Sequence, residues 1–264
     1  MSLPTSTTAW LNSMDHVMTH GTTSYPRQIE TKEILNSPCE FDMNYPVVNH
    51  PGRNLHYGFM AAEAYWITSG SPLVEDIAPY NKHISKFSDD GYIFNGAYGP
   101  AFLSQVNYVV ATLLNDKWSR QAVMTIWHPN PIDSKDHKCT VALAFNIRDD
   151  KIHTTVFMRS NDLWLGRPYD MFNFTMMTLR ILCQYNSNHT GPNVGLGDMC
   201  IHAVSSHIYA TNYEEITDVL QVQEEEDHNI VPTLGHKDWQ FLVDSMLTCR
   251  DNKPHDINLW RIRP

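Results

Sequence analysis

The sequence predicts an α/β or α+β fold. Three segments repeat apolar residues every three or four positions, as amphipathic or buried helices do. Four others are short runs rich in Val, Ile, Thr and aromatics, as strands are. Two of those runs flank Arg148-Asp149-Asp150-Lys151, whose Asp-Asp pair suits a two-residue hairpin turn. One domain is expected over residues 1–264: no linker, low-complexity tract or repeat divides the chain, and 264 residues with 42% hydrophobic content suffice for a sizeable core.

The elements follow in order. Residues 54–67, NLHYGFMAAEAYWI, form a mostly buried helix that contains Glu63 and stops before Gly70. A second helix follows Gly99-Pro100 through AFLSQVNYVVATLL, proline being suited to a first turn. Strands are expected at QAVMTIWH (121–128), TVALAFNI (140–147), IHTTVFM (152–158) and CIHAVSSHIYA (200–210), and a third helix follows Pro168 through the 170s. If Arg148 faces Lys151 across Asp149-Asp150, counting outward sets Cys139 opposite Ser160 and beside Arg159, with a one-residue shift if a bulge intervenes. The run Glu224, Glu225, Glu226, Asp227 reads as a solvated loop.

Charge and composition exclude several functions. A net charge of −10 argues against a protein that wraps nucleic acid, although a few arginines could still hold a small anion. MSLPTSTTAW lacks the features of a signal peptide and no apolar run approaches a membrane span, so a soluble, cytoplasmic protein is expected. Five scattered cysteines without a CxxC pair indicate neither a disulfide framework nor a zinc knuckle. The sequons at Asn173 and Asn188 are read as chance matches. His16 and His20 share a helix face but lack a third ligand, and His202 and His207 alternate to opposite faces of a strand, so no metal is expected.

Residues 159–174, RSNDLWLGRPYDMFNF, crowd an arginine, a serine and two aspartates around an apolar turn, and buried charge demands a partner. On its position alone, Cys139 reads first as an inert buried thiol. With His137, Lys138 and, through the hairpin, Arg159 nearby, positive charge is expected to favour its thiolate and make it a nucleophile.

From Cys139 to Asp170, CTVALAFNIRDDKIHTTVFMRSNDLWLGRPYD resembles the thymidylate synthases and related phage pyrimidine hydroxymethylases: a cysteine, a hairpin, then RS-x-D-x-x-x-G and a base-reading position. Weaker matches lie in family order at HGTTSYPRQ, AAEAYW, FNGAYGP, KWSRQAV and GDMCIHAVSSHIYA, covering about residues 18–212 and leaving 213–264 unmatched. The resemblance implies a mixed β-sheet flanked by helices, a homodimer, a nucleotide substrate and 5,10-methylenetetrahydrofolate. It makes Cys139 the nucleophile at C6 of a pyrimidine, with Glu63 organising water and protons and Tyr98 assisting at the ring. Arg27, Arg159 and Ser160 match phosphate positions, and Arg120 matches one that serves the neighbouring subunit. His207 and Tyr209 match the sugar-binding pair, and Asp162, Leu165, Gly166 and Tyr169 line the folate site.

Asp170 stands where uracil-specific members place asparagine. An ionised carboxylate only accepts hydrogen bonds, which complements the amino group of cytosine and repels O4 of uracil. The alternative role for an aspartate here is an N-cap of the helix after Pro168. The pattern around Asp170, Cys139-Thr140 and RSND is closest to that of the phage cytidylate hydroxymethylases, which implies hydroxymethylation of deoxycytidylate (dCMP). Alternatives are 5-methylation with dihydrofolate as co-product, a cytidylate (CMP) substrate, a deoxyuridylate (dUMP) enzyme, or a silent nucleotide-binding relative. Three departures stand out: Gln121 replaces a second arginine, Thr140 replaces a histidine, and INLWRIRP does not match the family's closing tail.

Overall fold

The protein is represented by a computed structural model that describes residues 3–222 and 239–252. In chain order the elements are α1 (Ser6–His20), β1 (Thr22–Ser24), β2 (Thr31–Asp42), α2 (Tyr57–Ser69), α3 (Val74–Ile77), α4 (Gly99–Asn115) and β3 (Val123–Thr125). They continue with β4 (Thr140–Arg148), β5 (Lys151–Met158), β6 (Asn161–Asp162), α5 (Arg167–Asn188), β7 (Gly195–Tyr209), α6 (Tyr213–Gln221) and α7 (Trp239–Asn252). The acidic run at 224–227 and the terminal INLWRIRP lie outside the described residues.

The expected mixed sheet is present, ordered β1-β2-β7-β5-β4-β3, with β6 added beside β7. β7 runs parallel to β5 and β6 and antiparallel to β2; the remaining pairs are antiparallel. On one face, α5 packs on β5 and β7 and is surrounded by α1, α2, α4 and α7. Met171, Phe172, Phe174, Met176 and Met177 are all fully buried, as a helix apolar on all sides requires. α2 ends where expected, at Gly70 with φ 84°; a Cβ there would also meet Leu103 Cδ2 at 2.5 Å.

Strand side chains alternate between this core and the opposite face. Leu143, Phe145, Ile152, Val156 and Ile201 point inward, while Leu35, Phe157 and Val204 remain 60%, 44% and 51% exposed.

Two expectations about strands need correction. The strand expected over 121–128 is only Val123–Thr125, because the amides of Ile126 and Trp127 both donate to Val141 O, where β4 bulges. β2 had no counterpart in the sequence reading. TKEILNSPCEFD shows no clean alternation, and its Pro38 lies beyond the short β1, where an unpaired edge tolerates proline.

The hairpin itself follows the expected register. Asp149 and Asp150 have φ 49° and 55°, matching a type I′ turn, and pairs run from Arg148–Lys151 to Ala142–Phe157. The bulge then moves Thr140 opposite Met158, and Arg159 N donates to Cys139 O at 2.8 Å. Cys139 therefore faces Arg159 and not Ser160, the one-residue shift that a bulge produces.

Candidate active site

Cys139 sits at the open end of the hairpin, just before β4. Ser160 Oγ donates to its Sγ at 3.7 Å, and Arg159 Nη1 donates to Ser160 Oγ at 3.1 Å. The guanidinium is held in place because Nε donates to Lys138 O at 2.9 Å and Nη2 to His137 O at 3.1 Å. The expected thiolate bias is overturned: burial dominates and pushes the thiol above its ordinary value, with Arg159 and Ser160 opposing and Asp170 and Asp136 adding to the rise. Lys138 instead donates to Asn95 O at 2.8 Å, and His137 stacks on Trp127.

Tyr98 and Asp170 lie near enough to the thiol to act on it, and Glu63 shares a cavity with both. Tyr98, immediately before α4, accepts a hydrogen bond from Thr140 N at 3.3 Å; burial, then Asp170 and Cys139, raises its phenol pKa. Glu63 projects from α2 and its Oε2 accepts from Asn173 Nδ2 at 2.7 Å. Burial pushes Glu63 up to about 7 against that hydrogen bond. Asp170 Oδ2 accepts from Asn161 Nδ2 at 2.6 Å, and burial followed by the charge of Glu63 pushes it to about 7 as well.

Asp170 is not a helix cap. α5 begins at Arg167 with Gly166 as its N-cap, and the carboxylate of Asp170 bonds a side-chain amide. Glu63, Tyr98 and Asp170 share a cavity of about 170 Å³ with apolar walls from Trp66, Ile84, Phe87 and Phe94.

The remaining expected positions form a continuous rim, with one exception. Asp162 Oδ1 accepts from the amides of Trp164 and Leu165, each at 2.9 Å, and burial raises this carboxyl. Gly166 follows, Leu165 is 55% exposed, and the Tyr169 hydroxyl accepts from His56 N at 3.2 Å. His207 pairs with Asp162 across β6 and β7 and meets the Tyr209 ring edge-on at 5.2 Å. Arg27 Nη2 in turn donates to Tyr209 Oη at 3.2 Å. Arg120 stands apart. Asn146 Nδ2 and Arg148 Nη2 bond the carbonyls of Ser119 and Trp118, fixing Arg120 near the far end of β4, about 25 Å along the strand from Cys139.

Sequence reasoning missed Asn161, Arg167 and Asn173. Asn173 was hidden by its sequon, yet it is buried against Glu63. Arg167 and Asn161 carry no spacing signal; only the fold shows that both are buried beside Asp170.

The cavity combines flat apolar surfaces with a few polar groups, as sites for planar heterocycles do. Its walls set Trp66, Phe87 and Phe94 against Glu63, Asp136, Asp170 and Asn173, and the buried Asn173 Oδ1 has no hydrogen-bond partner among the described residues.

The family model for thymidylate synthase matches residues 8–240, most of the chain and beyond the quoted motifs at both ends. The chain belongs to the thymidylate synthase family. Among similar proteins, the deoxyuridylate hydroxymethyltransferase of Bacillus phage SP01 is 29% identical over 238 residues, covering 81% of this chain and 60% of that protein. The deoxyuridylate hydroxymethyltransferase of Delftia phage PhiW-14 is 28% identical over 191 residues, covering 66% and 51%. The chain thus spans about half to three-fifths of the length of these relatives. Among the described residues no helix is long and apolar enough to cross a membrane, and no cluster of His, Cys, Asp or Glu could hold a metal.

Proposed function

We propose that this thymidylate synthase family member is an enzyme that transfers a one-carbon unit to C5 of a pyrimidine nucleotide, with dCMP as substrate and hydroxymethyl-dCMP as product. Asp162, Leu165, Gly166 and Tyr169 would hold methylenetetrahydrofolate, which would supply the one-carbon unit. The Cys139 sulfur adds to C6 and makes C5 nucleophilic. Arg27, Arg159 and Ser160 hold the phosphate, joined by Arg120 of the partner subunit in a homodimer whose exposed apolar sheet face is covered on association. His207 and Tyr209 take the sugar hydroxyl. Glu63, with a pKa of about 7, accepts a proton from the water that completes the hydroxymethyl group, and Tyr98 assists at the ring. No disulfide joins the cysteines among the described residues, and the reducing cytoplasm is the proposed place of action.

The base assignment rests on Asp170, whose Oδ2 accepts from Asn161 and whose other oxygen is left to accept from the amino group of cytosine. Incubation with dCMP, CMP and dUMP plus methylenetetrahydrofolate, followed by weighing the nucleotides, tests the reading. Expected is a gain of CH2O on dCMP without dihydrofolate absorbance. A gain of CH2 with stoichiometric dihydrofolate refutes hydroxymethylation in favour of methylation.

A second reading is hydroxymethylation of dUMP. It is supported by the names of the phage relatives and by Asp170 itself: at a pKa of about 7 a protonated carboxyl could donate to O4. That enzyme would prefer dUMP and would lose activity as pH rises through 7.

A further inference from the structure

Arg167 is the only arginine or lysine among the described residues in the buried interior, at 0% exposure. Removing a guanidinium from water is costly unless its charge and hydrogen bonds are used. Its Nε donates to Asn161 Oδ1, and its Nη2 donates to Ser206 Oγ on β7 at 3.3 Å. Its Nη1 has no partner among the described residues.

The bond to Asn161 has a directional consequence. An amide whose oxygen faces a guanidinium can turn only its nitrogen to the other side, and Nδ2 donates from there to Asp170 Oδ2 at 2.6 Å. Arg167 and Asp170 lie three residues apart on one face of α5, while Asn161 bridges them from β6. Of the charged side chains acting on Asp170, Glu63 and Asp162 are acids and Arg167 is the cation. We propose that Arg167 is a positioning residue that, through Asn161, holds Asp170 as an acceptor-only carboxylate and thereby sets the choice between cytosine and uracil. This rests on Asp170 being the base reader. A core arginine with no such part would support the fold and turnover of either nucleotide equally.

The test is the ratio of kcat/KM for dCMP to that for dUMP, measured in wild type, Arg167→Met, Asn161→Leu, the double variant and Asp170→Asn. Arg167→Met keeps the side-chain volume and releases Asn161, which can then turn its oxygen toward Asp170 and favour the protonated carboxyl. The ratio should fall about tenfold, roughly the effect of losing one charge-assisted hydrogen bond. Asn161→Leu should lower it similarly. The double variant should be no worse than Asn161→Leu alone, because both substitutions break one relay.

If Asp170→Asn shifts the ratio while Arg167→Met and Asn161→Leu slow both substrates equally, the relay is overturned and the base-reading role of Asp170 survives. If Asp170→Asn leaves the ratio unchanged, the base-reading role fails and the relay falls with it. Should Arg167→Met not fold, Asn161→Leu decides alone: a shifted ratio supports the relay and an unshifted one overturns it.

Discussion

Replacing Asp170 by asparagine should move the enzyme from cytosine toward uracil, and the surrounding hydrogen bonds fix how. The new amide must meet Asn161 Nδ2, which donates to the Asp170 position at 2.6 Å. Two N–H groups cannot face each other there, so the oxygen of the new amide takes that contact and its nitrogen turns to the base. One acceptor becomes one donor, which matches O4 of uracil and opposes the amino group of cytosine. A hydrogen bond to a charged group contributes about 1.5–3 kcal/mol, so the ratio of kcat/KM should swing by roughly one to two orders of magnitude. Steady-state rates on dCMP and dUMP, with products identified by mass, measure it. An unchanged ratio would refute base reading by Asp170.

Further outcomes are expected. Cys139→Ser should abolish turnover yet still bind nucleotide by calorimetry, since the proposed phosphate and sugar contacts lie on other residues; activity above a trace would contradict covalent catalysis. In wild type, kcat should fall as pH drops below about 7, where Glu63 takes up a proton, and Glu63→Gln should remove that limb. The sign for stability is opposite. Because the Glu63 pKa rises from 4.5 to about 7 on folding, the native state holds a proton that the unfolded chain has released, and stability falls as pH rises through that interval. Urea unfolding at pH 8 should show Glu63→Gln gaining up to about 3 kcal/mol over its pH 4.5 difference from wild type. Finally, mixing inactive Cys139→Ser with Arg120→Ala should restore activity, because each mixed dimer has one site with both an intact thiol and a partner arginine; no restoration would place Arg120 outside the shared site.

The sequence made the central hairpin and its neighbours legible because period and turn chemistry agree there. Val, Ile and aromatic residues alternate on both sides of Asp149-Asp150, and the register they imply holds to Ala142. What local pattern could not show was the bulge at Val141, since an unpaired residue depends on what lies across the strand. The same limit hid β2, whose pairing with β7 supplies most of its order. At the site, charge proximity in sequence misled for Cys139: His137 and Lys138 are adjacent in the chain but turned to other partners, and burial outweighs Arg159. Asp170 was singled out through its setting in the family pattern, and the fold sets it in the same cavity as Glu63 and Tyr98. Arg167 and Asn161 were not, because their contacts depend on which atoms of a buried amide face which neighbour.

The tight turn at Asp149-Asp150 also acts as a length gauge. Cys139 and Arg159 meet because the arms that leave the turn are matched residue for residue, apart from the one residue absorbed at Val141. A single amino acid inserted at the turn would slide one arm against the other and separate the thiol from its arginine, about 30 Å from the change. Lys117 reaches across to Asp150 at 3.0 Å, so α4 and its following loop clasp the gauge at its far end. Indels at this exposed corner should therefore be as damaging to chemistry as substitutions in the cleft.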